Sequence, residues 1–336
     1  MDRIGIGFSG SLSPMEIVEC VQLAEELGYD SAWMAEAHGG DQFSILTACA
    51  MATNTIKLGT NISSVFVRSA PTIAMAAACV DYYSNGRFIL GLGSSHKVQV
   101  GPEHGQPYVE PLQRLLETVD IVRALLRDGV ASYKGKVINI EQFDFWFEPL
   151  RNEIPIYLAA VRPRMTQIAG EISDGVLLSG WGNPQQSKEA AENVALGATS
   201  AGRNPNEVEV AKSISCIISS DRQKARNTVR NSAASYIGFF PRYRKVMAEG
   251  GFQEEVEAVR QAWAEGDKER AAKLVPEALI DSITMTGPPE ECKERIEDFR
   301  KAGITLPIVS PRVAAPGVLE AGAKELAIEA IKACAP

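Results

Sequence analysis

The stretch RFILGLGSSHK, from Arg87 to Lys97, places two glycines, two serines and one of the chain's three histidines directly after a short apolar run. A Rossmann dinucleotide loop needs a third glycine three residues after the second, where the loop packs on its helix. His96 stands there instead. A Walker phosphate loop fails as well, because no Gly-Lys-Ser/Thr follows. What remains is a strand that ends in a small-residue loop carrying a titratable imidazole.

Other apolar runs end the same way. Glu36 and His38 follow SAWM; Asn61, Ile62, Ser63 and Ser64 follow IKLG; Ala159, Ala160, Val161 and Arg162 follow IYL; Ser179, Gly180 and Trp181 follow GVLL. Together with Ser94 and Ser95 these are the candidates for binding and catalysis. An imidazole exchanges its proton near neutral pH, so His96 is the first choice as acid or base, with His38 and Glu36 next. Arg162 precedes Pro163, and a proline in the first helical turn leaves backbone N–H groups free at the positive end of the helix dipole, which suits an anion. Each residue also has a plainer reading. The histidines, His104 included, could be surface loop residues; Glu36 could be an ion-paired carboxylate; the serines and Asn61 could form turns; and Trp181 could be core or interface. No Ser/His/Asp ordering, H-E-x-x-H or carboxylate cluster stands out, and no metal site is expected. Small and amide-bearing residues spread over many strand ends suit a large organic cofactor that carries the reaction itself.

The elements that must position these residues alternate along the whole chain. Strands are expected at residues 3–8, Ser31–Met34, Ile56–Gly59, Phe88–Leu92, Ile156–Leu158, Gly175–Leu178, Val208–Ile218 and Ile304–Val309. Between them lie helical patterns, such as Ile17, Val21, Ala24 and Leu27 on one face after Pro14, with Gly28 at the C-cap. No composition break marks a linker. Residues 1–336 therefore read as one α/β domain, a (β/α)8 TIM barrel, with a doubly wound open sheet as the alternative. A helical stretch rich in Glu, Lys and Arg, about 236–279, is expected as an insertion between the seventh and eighth strands, shaping the substrate side.

A formal net charge of -8 offers no global attraction for nucleic acid or an anionic membrane. No apolar run approaches the roughly 20 residues that span a bilayer. The six cysteines are scattered without a C-x-x-C pair, as expected of reduced thiols. With strand-like alternation starting at once in MDRIGIGFSG, the expected location is cytoplasmic.

The stretches WMAEAHGGDQF, IKLGTNISSVFVRSAPTIAMAAACVDYYSNGRFILGLG, VGPEHGQPYVEPLQR, IPIYLAAVRPRMTQIAGEISDGVLLSG and GPPEECKERIEDFRKAGITLPIVSP resemble the bacterial luciferase-like superfamily. Specifically, they resemble its coenzyme F420-dependent branch, which includes methylenetetrahydromethanopterin reductase and F420-dependent glucose-6-phosphate dehydrogenase. The resemblance covers nearly the whole chain. It implies an eight-stranded barrel, commonly a homodimer, with a small organic substrate and a deazaflavin bound at the C-terminal rim; FMN is the alternative cofactor. It further implies a non-prolyl cis peptide at Asn61–Ile62 beside the ring, with Ser63, Ser94 and Ser95 nearby. Ala160, Val161 and Arg162 would lie at the cofactor phosphate, Ser179 at its tail, and Glu36 in place of the family's aspartate. The family's next histidine is here Ala37, with His38 one residue later. His96 falls where the sugar-phosphate dehydrogenases carry a proton-donating glutamate, and Gly7 where the reductases carry one in their first strand. Gly91 and Gly93 are expected to let a cofactor pass close to the backbone.

Overall fold

The computed structural model describes residues 3–312 and 322–336. Eight parallel strands form the frame: β1 Gly5–Phe8, β2 Ser31–Met34, β3 Lys57–Thr60, β4 Phe88–Gly93, β5 Ile156–Ala160, β6 Gly175–Leu178, β7 Glu209–Ile218 and β8 Leu306–Pro311. Each pairs with the next in the chain, and β8 pairs back with β1 through Gly5–Ile308 and Ile6–Val309, so the sheet closes. The expected barrel is present, and the open sheet is excluded. Strands covered on both faces are mostly buried along their length, as β1, β2, β4 and β6 are at every residue.

Inside the barrel, Trp33, Ile89, Tyr157, Leu177, Ala211, Leu306 and Ile308 form a packed layer. Glycine makes room for it: a Cβ on Gly59 would lie 2.4 Å from the Trp33 ring. The same logic corrects the reading of the two glycines in β4. A Cβ on Gly91 would meet the Thr60 carbonyl at 1.9 Å, and one on Gly93 would meet Ile62 at 2.8 Å. Their small size serves the approach of β3 and its following loop.

Helices surround the barrel, and those after β1 and β6 begin with a capping box on Ser13 and Asn183. After the helix Pro111–Asp128 comes an antiparallel hairpin, Val130–Lys134 with Asn139–Asp144, in a separate sheet from the barrel.

The insertion is larger than expected. It starts with the helix Arg222–Phe239 and continues through Pro241–Glu249, Gln253–Ala264, Lys268–Lys273 and Glu277–Ile283. The first of these reads as a barrel helix in sequence, but its apolar residues Val229, Ala233 and Ile237 pack on Val256, Val259 and Leu279, forming a second core that also takes in Trp181. A strand, Thr284–Gly287, then extends the sheet along the far end of β7. Pro289–Lys301 is the helix that returns to β8, which begins at Leu306 rather than Ile304. None of the described helices is long and apolar enough to cross a membrane.

Candidate functional site

The C-terminal strand ends converge on one rim, as the closed barrel requires. After β3, the Asn61–Ile62 peptide is cis. Asn61 Nδ2 donates to Ser213 Oγ at 2.7 Å, reaching across the barrel mouth from β3 to β7. Ser63 Oγ is fully buried and has no hydrogen-bond partner among the described residues. A buried hydroxyl left without a partner is costly, and an unpaired one at the end of a barrel strand is a candidate for a bond to a ligand.

Glu36, beyond β2, braces this loop. Its Oε2 accepts from the Ser64 backbone N–H at 2.7 Å, and its Oε1 accepts from Arg68 Nε at 2.5 Å. Arg68 also pairs with Asp41, the N-cap of the following helix. Both carboxylate oxygens are thus engaged, which suits holding the loop rather than moving a proton. His38 lies apart from it: the side chain is 79% exposed and meets Glu103 Oε2 at 3.2 Å. His104 is exposed too.

His96, beyond β4, lies edge-on to two rings of the insertion, with centroids 4.8 Å from Phe240 and 4.7 Å from Tyr243. Burial and the nearby Arg242 guanidinium pull its pKa from 6.5 to about 4. The imidazole is therefore neutral near pH 7, a proton acceptor rather than a stored acid. That differs from the sequence expectation of an unshifted group, and the cause is the aromatic cover that the insertion brings. It also makes the fold acid-sensitive. Above pH 6.5 the ring is neutral whether folded or unfolded; as pH falls toward 4, the unfolded chain takes the proton first, and about 3 kcal/mol of stability is lost. Urea denaturation of wild type and His96→Phe at pH 7 and pH 4.5 should show a smaller pH-dependent loss in the variant.

Arg242 ties the same loop down. Its guanidinium donates to the Ser95 carbonyl at 3.2 Å and to the Tyr108 hydroxyl at 2.7 Å, and it lies 3.5 Å from Ser94 Oγ. Tyr108 in turn stacks on Phe66 at 4.6 Å. The helix that carries Arg242 also reaches the loop after β5 and the first turn of the helix after β6. Arg162 donates to Glu249 at 2.6 Å, and Gln186 Nε2 donates to the Val246 carbonyl at 2.9 Å. Beside Arg162, Ala160 is buried in the barrel wall and Val161 is half-buried. Ser179 Oγ accepts from the Trp181 backbone N–H at 3.2 Å, and Trp181 packs on Tyr236 at 4.4 Å.

Arg242, Tyr243, Phe240 and Tyr236 had no place in the sequence reading. Their signal was the aromatic and basic run YIGFFPRYRK, from Tyr236 to Lys245, whose direction toward the rim is set only by the folded insertion. Taken together, the rim offers a neutral imidazole under aromatic cover, an orphaned hydroxyl beside a cis peptide, and an arginine held by a carboxylate. That set suits a planar heterocycle with an anionic tail and a substrate that gives up a proton.

A family profile described as luciferase-like monooxygenase matches residues 4–306. The chain is 32% identical over 309 residues to the 5,10-methylenetetrahydromethanopterin reductase of Archaeoglobus fulgidus, an alignment covering 90% of this chain and 91% of that one. It is 28% identical to a putative coenzyme F420-dependent oxidoreductase of Mycobacterium tuberculosis, covering 91% and 93%. Among solved structures, the coenzyme F420-dependent tetrahydromethanopterin reductase of Methanopyrus kandleri superposes with a TM-score of 0.83 at 28% identity, covering 98% of this chain and 96% of that one.

Proposed function

The chain belongs to the luciferase-like monooxygenase family, and from that premise we propose that it is a coenzyme F420-dependent oxidoreductase acting on a small organic substrate. The observation that carries this reading is the full-length similarity to F420-dependent reductases in both sequence and fold. The orphaned Ser63 hydroxyl beside the cis peptide supports the fit of the cofactor ring.

When bound, the deazaflavin donates or accepts hydride at its C5. The protein's own residues do the rest. Ser63 offers its hydroxyl to the ring, while Asn61, fixed by Ser213, and Ile62, packed over Gly93, set the shape of the surface beneath it. Glu36 keeps that loop in place through Ser64. Ser94 and Ser95 border the ring where Arg242 holds their loop. The turn Ala160–Val161–Arg162 and the Ser179 hydroxyl receive the anionic tail.

His96, neutral near pH 7, takes the proton that the substrate releases as it loses hydride. The first strand, GIGF, carries no acid to compete for this role, and a Cβ on Gly7 would sit tightly at 3.0 Å from Ile308 and 3.1 Å from Ser310. Phe240 and Tyr243 keep water from the imidazole, so the transfer occurs in an apolar setting. The substrate is a molecule with a C–H bond next to a hydroxyl or amine, or, in the direction that oxidises F420H2, a one-carbon pterin of the kind its relatives reduce. Anaerobic mixing of F420 with each class, followed through the absorbance of the oxidised deazaflavin, tests this. Bleaching by at least one class is expected; no bleaching by any, and no F420H2 oxidation in reverse, would refute it.

Arg162 is not free in this arrangement, because Glu249 holds it. The pair is exposed, so its strength is modest. Glu249→Gln should release Arg162 and tighten F420 binding about threefold, read by fluorescence titration. We also assign a homodimer, on the strength of the family resemblance, and light scattering that reports a monomer at working concentration would overturn that.

A further inference from the structure

Lys212 is fully buried, which is unusual for a lysine. Its neighbours on β7, Ala211 and Ser213, face the barrel interior. Lys212 points the other way, into the layer between the barrel and the helix Pro289–Lys301. There its Nζ sits 5.3 Å from the Phe299 ring.

Its one hydrogen bond among the described residues goes to a neutral acceptor, the Ser179 carbonyl, at 2.5 Å. The atom also lies behind Gly182, 3.7 Å from where a Cβ would stand. The charged group that bears on it is the Arg295 guanidinium, another cation, and burial together with that neighbour brings its pKa down to about 7. A cation held this way does little for stability; an apolar side chain of the same length would pack there at lower cost. What the amine does accomplish is local. It fixes the backbone of the loop Ser179–Gly182 from behind, and with its pKa near 7 it readily takes up a proton when negative charge arrives at the loop.

We propose that Lys212 is a positioning residue that holds the loop Ser179–Gly182 for the anionic tail of the cofactor. This rests on the F420 reading above and adds to it a residue that never touches the ligand. The loop hydroxyl, Ser179 Oγ, already caps the Trp181 N–H, so its direction depends on where the Ser179 backbone is held. An anion arriving at the loop supplies the negative charge that the protein itself withholds from Lys212.

The test compares F420 with its deazaflavin riboside, which lacks the phosphate tail, on wild type, Lys212→Met and Lys212→Gln. Lys212→Met should weaken F420 about tenfold and leave the riboside within twofold of wild type, with an unchanged or higher Tm. In turnover the loss should fall on KM for F420 rather than on kcat. Lys212→Gln, which keeps a donor without the charge, should fall between the two. Equal weakening of both ligands, or no weakening of either, would overturn the proposal. Wild type that binds F420 no better than the riboside would remove the tail site itself, a failure of the cofactor reading distinguishable from that of Lys212 alone.

Discussion

Replacing His96 with alanine is expected to lower kcat by about 10²–10⁴ near pH 7.5, the range for loss of a positioned acid or base. The ring is held by Phe240 and Tyr243 on an otherwise backbone-anchored loop, so its removal leaves the loop in place through Arg242 and Tyr108. F420 affinity should therefore change little compared with the rate. The pH profile carries a sharper signature. A free histidine would give an acid limb near its ordinary pKa of 6.5; burial and Arg242 move that limb to about 4. Wild-type kcat/KM should accordingly stay level from neutral pH down past pH 6 and fall only near pH 4, because the base is lost when it is protonated. The variant should lack this limb. Unchanged kcat in His96→Ala, or a wild-type limb near 6.5, would move the proton transfer to another group.

The largest effect on stability is expected at Asp81, at the end of the helix before β4. Its side chain is 1% exposed and receives Arg151 through two bonds, of 2.9 Å and 2.7 Å. It also accepts from the Phe88 backbone N–H at 3.3 Å, and Arg151 donates to the Phe88 carbonyl at 2.8 Å. The pair thus clamps the first residue of the strand that leads to His96. Asp81→Ala leaves a strand N–H and a guanidinium without their acceptor, and because the Arg151 side chain is 33% exposed the cost falls at or below the low end for a buried pair, about 2–3 kcal/mol. Urea denaturation at pH 7 measures this. A loss under about 1 kcal/mol would mean that water replaces the carboxylate at the strand start.

The barrel was legible because short strand-like segments and helical patterns alternate along the whole chain, with eight such strands in order. The candidate rim followed from that order, since strand ends must converge. Less legible was whatever depends on a partner far away in sequence. Arg68 arrives 32 residues after Glu36 and turns a candidate acid into a brace. Arg242 reaches Ser95 across 147 residues, and with it comes the aromatic cover that lowers the His96 pKa. The strand Thr284–Gly287 is only TMTG, too short and polar to stand out, and exists because β7 runs on past β6 and offers Ser215–Ile218 to a new neighbour. Lys212 was invisible for a related reason: lysine in a strand normally reads as a solvent-facing position, and its burial depends on the helix that crosses over it.

The cofactor is the claim on which the rest depends, and it is measured most directly by titrating F420 and FMN in parallel into the purified protein and following fluorescence. Saturable binding of F420 is expected, with FMN at least about tenfold weaker, and with F420 binding weakened when Ser63 is replaced by alanine. FMN binding as tight as or tighter than F420 would contradict the account.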